Sequence, residues 1–560
     1  MAHYNYGHSP KANFTMVKRF ETDVVIIGGG ATGTGIMRDC ALRGINCVLL
    51  EQDDIASGTT GRNHGLLHSG ARYAVTDKES AKECIQENRI LKSIASHCVE
   101  ETTGLFITLP EDDIKFQDTF ISACSEAGIE TKRLTAKQTL ALEPNTNPNL
   151  LGAVQVPDGT LDPFRLCASN VLDASEHGAR LFNKTRVTSL IRNEDTVLGV
   201  NCYNTMRNEP FQIFAKQVIN AAGIWGQNIC EYADLSIKMF PAKGSLLILD
   251  YRINNLVINR CRKPSDADIL VPGDTISLIG TTSEHIDYDQ IDDLHVTERE
   301  VDLLLREGAK LAPIMANTRV LRAYAGVRPL VSVDDDGSGR NISRGIVLLD
   351  HEKRDGLKGF TTITGGKLMT YRLMAEWATD LLAEKLSVNE PCTTHIKPLP
   401  GSNQPVNNPK KTASIVKPVY ESAHYRHGER VTDFLDESAE KQAVICECEM
   451  VTAGEIEYAI KQLNVHSLVD LRRRTRLGMG PCQGELCSYR AASLFNQYAN
   501  HSGTQCSQLL NEFLEERWKG IKPIFWGDAL REAEFSHWIY EGLFGAGQLH
   551  SHDDNKEESR

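Results

Sequence analysis

The stretch from Asp23 to Glu51 constrains the fold more than any other part of the chain. It opens with the apolar run Asp23-Val-Val-Ile-Ile27, which reads as a short buried parallel strand. Gly28-x-Gly30-x-x-Gly33 follows at once. A helical stretch, Gly35-Ile-Met-Arg-Asp-Cys-Ala-Leu-Arg43, then leads into a second apolar run, Cys47-Val-Leu-Leu, and the acid Glu51. Strand, glycine turn, helix and strand in that order make a βαβ unit. Gly28 makes the tight turn, Gly30 lets the backbone approach a pyrophosphate, and Gly33 lets helix and strand pack closely. The pyrophosphate then rests on the helix N-terminus, where unpaired N–H groups and the helix dipole favour negative charge. Glu51 is placed to accept hydrogen bonds from ribose hydroxyls, and an acid there disfavours a 2′-phosphate. The motif predicts a dinucleotide site without separating FAD from NAD.

The next segment, Ser57-Gly-Thr-Thr-Gly-Arg-Asn-His-Gly-Leu-Leu-His-Ser-Gly-Ala-Arg-Tyr73, tilts the reading to FAD. It is dense in small and polar residues where a flavin must run on from the ribose, and Thr59, Thr60, Asn63, His64 and Gly65 are its candidate contacts. Two later segments each follow a strand-like run and suit returns of the chain to the same cofactor. They are Asn220-Ala-Ala-Gly-Ile-Trp-Gly, offering Ala222 and Gly223, and Thr364-Gly-Gly-Lys-Leu-Met-Thr-Tyr-Arg, offering Gly365, Gly366, Lys367 and Leu368.

With 560 residues the chain has room for about three to four domains. A net charge of −13 without a clustered basic surface argues against a nucleic-acid partner. No apolar run approaches the roughly 18 residues of a membrane span, and the start lacks the basic and apolar regions of a secretory signal. The 15 cysteines are odd in number and mostly scattered, so a metal site is expected rather than a disulfide framework. One group does cluster. Cys446-x-Cys448 is followed, after 33 residues, by Cys482-x4-Cys487. Four thiolates in two close pairs can hold Zn²⁺ or an iron–sulfur cluster, though C-x-C with C-x4-C is an unusual zinc spacing.

The nucleotide fingerprint, His68-Ser-Gly-Ala-Arg-Tyr73, Tyr324-Ala-Gly-Val-Arg-Pro-Leu330 and Gly365-Gly-Lys-Leu-Met-Thr-Tyr371 resemble the FAD-dependent glycerol-3-phosphate dehydrogenases. With the cysteine tail, the likeness is closest to the large subunits of the anaerobic bacterial branch, and it runs from about Asp23 to Gly542. The tail itself resembles the [2Fe-2S] module of bacterioferritin-associated ferredoxin. The resemblance implies an α/β fold: an FAD-binding Rossmann domain of the glutathione-reductase-like or D-amino-acid-oxidase-like kind, an inserted α+β substrate domain, and a small helical cluster domain. The expected boundaries are a tail over 1–20 and an oxidoreductase unit over 21–387. Within that unit the FAD domain takes about 21–95, 175–235 and 320–387, and the substrate domain about 96–174 and 236–319. A Pro/Asn-rich linker over 388–440, the cluster domain over 441–500 and an aromatic-rich extension over 501–560 complete the chain.

For the site, the resemblance implies that Arg72, Arg328 and Arg344 bind the phosphate of sn-glycerol 3-phosphate, with Lys367 near the flavin and Tyr73 adding a hydroxyl. Arginine suits that task because its fork donates two charge-assisted hydrogen bonds to a phosphate. Oxidising a secondary alcohol also needs a base, and His68 is the first candidate because imidazole titrates near neutrality; His64 and Lys367 are the alternatives. The aerobic relatives use a further histidine that Phe240-Pro-Ala-Lys-Gly-Ser lacks, leaving Lys243 or Ser245 to stand in. Arg472-Arg-Arg-Thr-Arg476, between the cysteine pairs, reads first as a solvated face, or else as an offset to the cluster's charge or a dock for an acidic partner. The aromatics of 509–544 suit either a docking surface or packing onto the main body.

The implied activity is oxidation of sn-glycerol 3-phosphate to dihydroxyacetone phosphate. Electrons would pass from FAD to the cluster and on through other subunits, including a membrane-anchoring iron–sulfur subunit, to quinone at the cytoplasmic face of the cell membrane. The rivals are a flavin oxidase or dehydrogenase for an amino or hydroxy acid, and a redox-sensing protein without turnover.

Overall fold

A computed structural model describes residues 18–332, 342–343, 345–402, 415–500 and 502–545. The first strand, β1 (Lys18–Ile27), is longer than its apolar core because it pairs in parallel along the strand Glu209–Asn220, from Lys18 opposite Phe211 to Ile27 opposite Asn220. On its other side lies β2 (Cys47–Leu50), also parallel, and the helix α1 (Ala31–Leu42) crosses between them. The strand Arg180–Phe182 extends this sheet beyond β2. Phe360–Gly365 joins Glu209–Asn220 in parallel, and Ile346–Asp350 pairs antiparallel with Phe360–Gly365. Segments distant in sequence therefore end side by side: Ile27, Leu50, Asn220 and Gly365 all finish at one edge. Ligands in such sheets bind where carboxyl ends meet.

Helices Pro163–Glu176 and Tyr371–Leu386 pack beside α1 on one face, and their apolar residues form one continuous core with it. Pro163–Glu176 therefore belongs with the nucleotide unit, not with the substrate segment 96–174 in which the sequence placed it. The helix was misassigned because its amphipathic pattern does not say which sheet it covers.

Among the described residues the second sheet has ten strands and is mostly antiparallel. Its longest pair is Met239–Leu249 with Val320–Ser332, in register from Met239 opposite Val331 to Leu247 opposite Ala323. That pairing corrects the boundary expected at 320, since Val320–Ser332 is hydrogen-bonded into the substrate sheet. Helix Glu298–Leu311, capped by reciprocal Thr297–Glu300 bonds, covers this sheet over its own apolar core.

The segment expected as a linker is largely structured. Leu399 is buried in the nucleotide core and Arg38 donates to the Lys397 carbonyl at 2.7 Å. The helix Lys417–His427 packs into the tail's core through Val419 and Ala423. Much of the Pro/Asn-rich stretch itself lies outside the described residues. In the tail, the hairpin Val444–Cys446 with Val451–Thr452 precedes helices Ala453–Gln462, Leu468–Thr475 and Ser488–Ala499. The helix Gly503–Ile521 then runs back across the substrate sheet, where Trp518 touches both cores.

Candidate functional site

Gly28 and Gly33 both stand where a side chain does not fit. Gly28 has φ of 111°, and a Cβ on it would lie 2.6 Å from the Ala221 carbonyl oxygen. A Cβ on Gly33 would lie 1.9 Å from the Gly28 oxygen, so no side chain fits at the helix–strand contact. Gly30 caps α1, whose N-terminus faces the cavity. Thr60 steadies this end by accepting from the Ala31 N–H at 3.0 Å. Glu51 accepts from the Gly29 and Asp53 N–H groups at 2.7 and 2.8 Å. Burial, outweighing those bonds, pushes its carboxyl up to about 7.

Around this cradle lies a cavity of about 530 Å³ lined by Gly28, Gly30, Glu51, Thr59, Thr60, Asn63, Ala222, Gly223, Gly365, Gly366 and Leu368. His64, His68, Tyr73, Arg328 and Lys367 line the same cavity. Asn63 shapes the loop by donating to the Thr60 carbonyl at 2.6 Å and accepting from the Gly65 N–H at 2.7 Å. The His64 and His68 rings are 5.9 Å apart, His68 and Tyr73 5.5 Å, and the Lys367 ammonium sits 4.9 Å over the Tyr73 ring.

His64 Nδ1 accepts from the Leu66 N–H at 3.2 Å, so a neutral ring carries its proton on Nε2. Burial first, then Arg328 and Arg72, lower His64 to about 3. His68 is pushed well below its ordinary value by burial, then by His64, Arg72 and Lys367. Both imidazoles are therefore neutral near pH 7.

Arg328 donates through Nη2 to the Thr281 hydroxyl and, at 3.1 Å, to the Thr282 carbonyl. Arg72 is less central: it bonds the Ser265 carbonyl at 3.0 Å, pairs with Asp268 at 3.6 Å, and is not part of the cavity wall. Gly65 lines a neighbouring chamber instead, and Gly33 lies behind the cradle. Arg344 lies outside the described residues. Lys243 and Ser245 do not stand in for the missing histidine. Both bond the buried Glu300, at 2.9 and 2.7 Å, and neither lines the cavity.

Cys446 ends a strand, Cys448 sits in the following turn, and Cys487 caps the helix Ser488–Ala499. Their thiols meet: Cys446 and Cys482 each reach Cys487, and Cys448 reaches Cys482. Backbone N–H groups point at the sulfurs, from Gly478 and Glu449 to Cys446 and from Leu486 and Gly484 to Cys482. Amide donors aimed at sulfur favour thiolate, which suits an anionic iron–sulfur cluster. Among the described residues no three His, Cys, Asp or Glu groups surround a single metal position. Two irons that take two thiolates each make no such demand.

Residues 23–372 match the model of the FAD dependent oxidoreductase family, and residues 444–497 that of the BFD-like [2Fe-2S] binding domain. The anaerobic glycerol-3-phosphate dehydrogenase A-subunit of Escherichia coli K12 is 64% identical over 525 residues, covering 94% of this chain and 97% of that one. The chain belongs to the anaerobic glycerol-3-phosphate dehydrogenase A-subunit family. Its counterpart in Haemophilus influenzae is 60% identical, with 96% of each chain covered. The glycerol-3-phosphate dehydrogenase of Bacillus halodurans, solved with FAD, shares the fold at a TM-score of 0.66 and 24% identity, covering 91% of this chain and 97% of that one. The cradle fits FAD and the four thiols fit a [2Fe-2S] cluster, and these are the cofactors of this member of the dehydrogenase family.

Sequence reasoning missed how the two cofactor sites of this family member are joined. Arg473 and Arg474 both pair with Asp54, three residues past Glu51, and Arg476 pairs with Asp274 and Glu449. The arginine run is thus mostly a clamp between the tail and the catalytic body, not a solvated face. Thr281 and Thr282, which position Arg328, also carried no signal, because nothing in a Thr-Thr pair announces a distant guanidinium.

Proposed function

We propose that this chain oxidises sn-glycerol 3-phosphate to dihydroxyacetone phosphate and passes the electrons through its cluster to partner subunits. The observation that carries the reading is the meeting of Arg328, Lys367, His64 and His68 in the flavin cavity. Arg328, held on Thr281 and Thr282, gives the substrate phosphate a planar cationic fork. Lys367 adds a second charge near Tyr73. His68, neutral at pH 7, takes the proton from the C2 hydroxyl, while the Nε2–H of His64 donates to the substrate oxygen. Arrival of a phosphate dianion offsets the cations that depress both imidazoles, so His68 becomes a stronger base when substrate is bound. FAD, when bound, supplies the hydride acceptor, and the cluster carries electrons singly.

The two relatives above are each named as one subunit of an enzyme, which supports a multi-subunit assembly. Among the described residues no helix is long and apolar enough to cross a membrane. The reading assigns contact with the membrane and its quinone to a partner iron–sulfur subunit, with this chain peripheral on the cytoplasmic face. An apolar surface beside the cluster supports such docking: Leu486, between two cluster cysteines, is 63% exposed.

The test is an anaerobic titration of the purified holoenzyme with glycerol 3-phosphate, followed in the visible. Bleaching of the flavin band with a matching fall in cluster absorbance is expected. Arg328→Ala should raise KM roughly tenfold to a hundredfold, the worth of a lost charge-assisted hydrogen bond. A flavin that ignores glycerol 3-phosphate and bleaches with an amino or hydroxy acid would replace this reading with its rival.

A further inference from the structure

A second and larger chamber, about 1770 Å³, lies between the catalytic body and the tail. Its wall towards the flavin cavity is the loop around Arg62 and Asn63. The strand Val320–Ser332 passes under that loop. Alternate residues of a strand share a face, so Arg322, Tyr324, Gly326 and Arg328 form one row. Tyr324 donates its hydroxyl to the Asn63 carbonyl at 2.9 Å, and a Cβ on Gly326 would lie 2.3 Å from the Arg62 carbonyl oxygen. The loop thus crosses the row in its middle. Arg328 faces the flavin cavity and Arg322 the chamber, about 20 Å apart along the strand.

Cations gather at one place on the chamber wall. Arg62, Arg322, Arg472 and Lys519 all line it around one carboxylate, Glu516. Arg322 donates to Glu516 at 2.6 Å. Burial pushes the Glu516 carboxyl up, but Arg322, Arg472, Arg62 and Lys519 outweigh it and hold the group below its ordinary range. Arg472 differs from its neighbours in the run: Arg473, Arg474 and Arg476 have carboxylate partners, whereas Arg472 Nε is buried without a hydrogen-bond partner among the described residues. Arg62 has Asp53 in reach as well as Glu516, which leaves Glu516 to balance Arg322, Arg472 and Lys519; one carboxylate cannot neutralise three cations, and desolvating a guanidinium nitrogen without a partner is costly. Asp53, Glu512 and Glu515 also line the chamber, and of these Asp53 lies within electrostatic reach of Arg62.

We propose that the arginine end of this chamber is a second oxyanion site that takes a small phosphate-bearing ion, separate from the flavin cavity. Guanidinium forks match tetrahedral oxyanions with paired hydrogen bonds. The chamber has room for a free phosphate or for a phosphorylated three-carbon metabolite.

Equilibrium dialysis of the FAD- and cluster-loaded enzyme against radiolabelled inorganic phosphate tests this. Two phosphates per chain are expected. Arg472→Gln should weaken one of them about tenfold or more and leave the other, and Arg472→Lys should retain most of the affinity while showing that the fold tolerates a change there. Excess glycerol 3-phosphate should displace the flavin-cavity phosphate. If it also displaces the Arg472-dependent one, the chamber takes the phosphorylated metabolite; if not, it takes inorganic phosphate. A single phosphate per chain that glycerol 3-phosphate removes, or a Gln variant that binds as the wild type does, overturns the proposal. Should no bound phosphate respond to glycerol 3-phosphate while one still depends on Arg472, the flavin-cavity reading fails and the chamber site stands.

Discussion

Glu51 carries a tension that belongs to single residues. Both its oxygens accept backbone N–H bonds, yet burial lifts its carboxyl to about 7 in the protein without nucleotide. Ribose hydroxyls donate best to the ionised form, so nucleotide binding favours loss of that proton. The sign follows: below pH 7 the carboxyl holds a proton that binding must expel, and above pH 7 it does not. FAD affinity of the apoenzyme should therefore rise by up to about tenfold per pH unit towards pH 7 and level off above it. Fluorescence quenching of FAD across pH 6 to 8 measures this. Glu51→Gln should bind more weakly at high pH and lose the slope; a variant that keeps the slope would move its origin to another group. This residue and the three glycines were legible in the sequence because their demands are local. A positive φ at Gly28 and a missing Cβ at Gly33 are set within one turn of chain.

Elements were harder to read, because what an element touches is rarely written beside it. The helix Leu468–Thr475 shows four arginines among its last residues and just beyond, and a run of like charge ordinarily faces water. Its partner Asp54 lies more than 400 residues away, and Arg474 meets it at 2.5 Å with both side chains wholly buried. The strand Val320–Ser332 is similar: its apolar pattern announces a strand, while its choice of sheet rests on Met239–Leu249. Burial makes the Asp54 contact consequential. Asp54→Asn would leave two guanidinium groups short of compensation, a loss of about 3–5 kcal/mol for a buried pair. The tail should loosen from the catalytic body, with a lower unfolding midpoint at the cluster's absorbance. In stopped flow, cluster reduction should lag flavin reduction while the flavin's own rate is unchanged. Cluster and flavin still reduced together at the wild-type midpoint would show that the clamp is dispensable.

At the scale of the molecule, the nucleotide cradle, the substrate sheet and the cluster tail form a chain of sites that ends at the surface. The aromatic extension divides between the two uses open to it. Trp518 packs into two cores and Tyr540 is buried, whereas Phe535 and Trp538 are 65% and 63% exposed. Tyr489, just beyond Cys487, stacks on Phe544 at 4.9 Å and joins this exposed face to the cluster loop. Exposed apolar area of this kind marks contact surfaces more often than solvent-facing structure, and its position beside the cluster is where a one-electron acceptor must come. Aromatic anchors at such contacts are commonly worth about 2 kcal/mol or more each, about thirtyfold in affinity. The double variant Phe535→Ser, Trp538→Ala should therefore reduce a soluble dye with glycerol 3-phosphate at the wild-type rate, since dye meets flavin and cluster directly. With the proposed partner subunits and quinone as acceptor, it should need at least thirtyfold more partner for half-maximal rate. Equal loss with both acceptors would mean that the aromatics hold the tail together, and an unchanged partner requirement would place the docking surface on another face of the cluster domain.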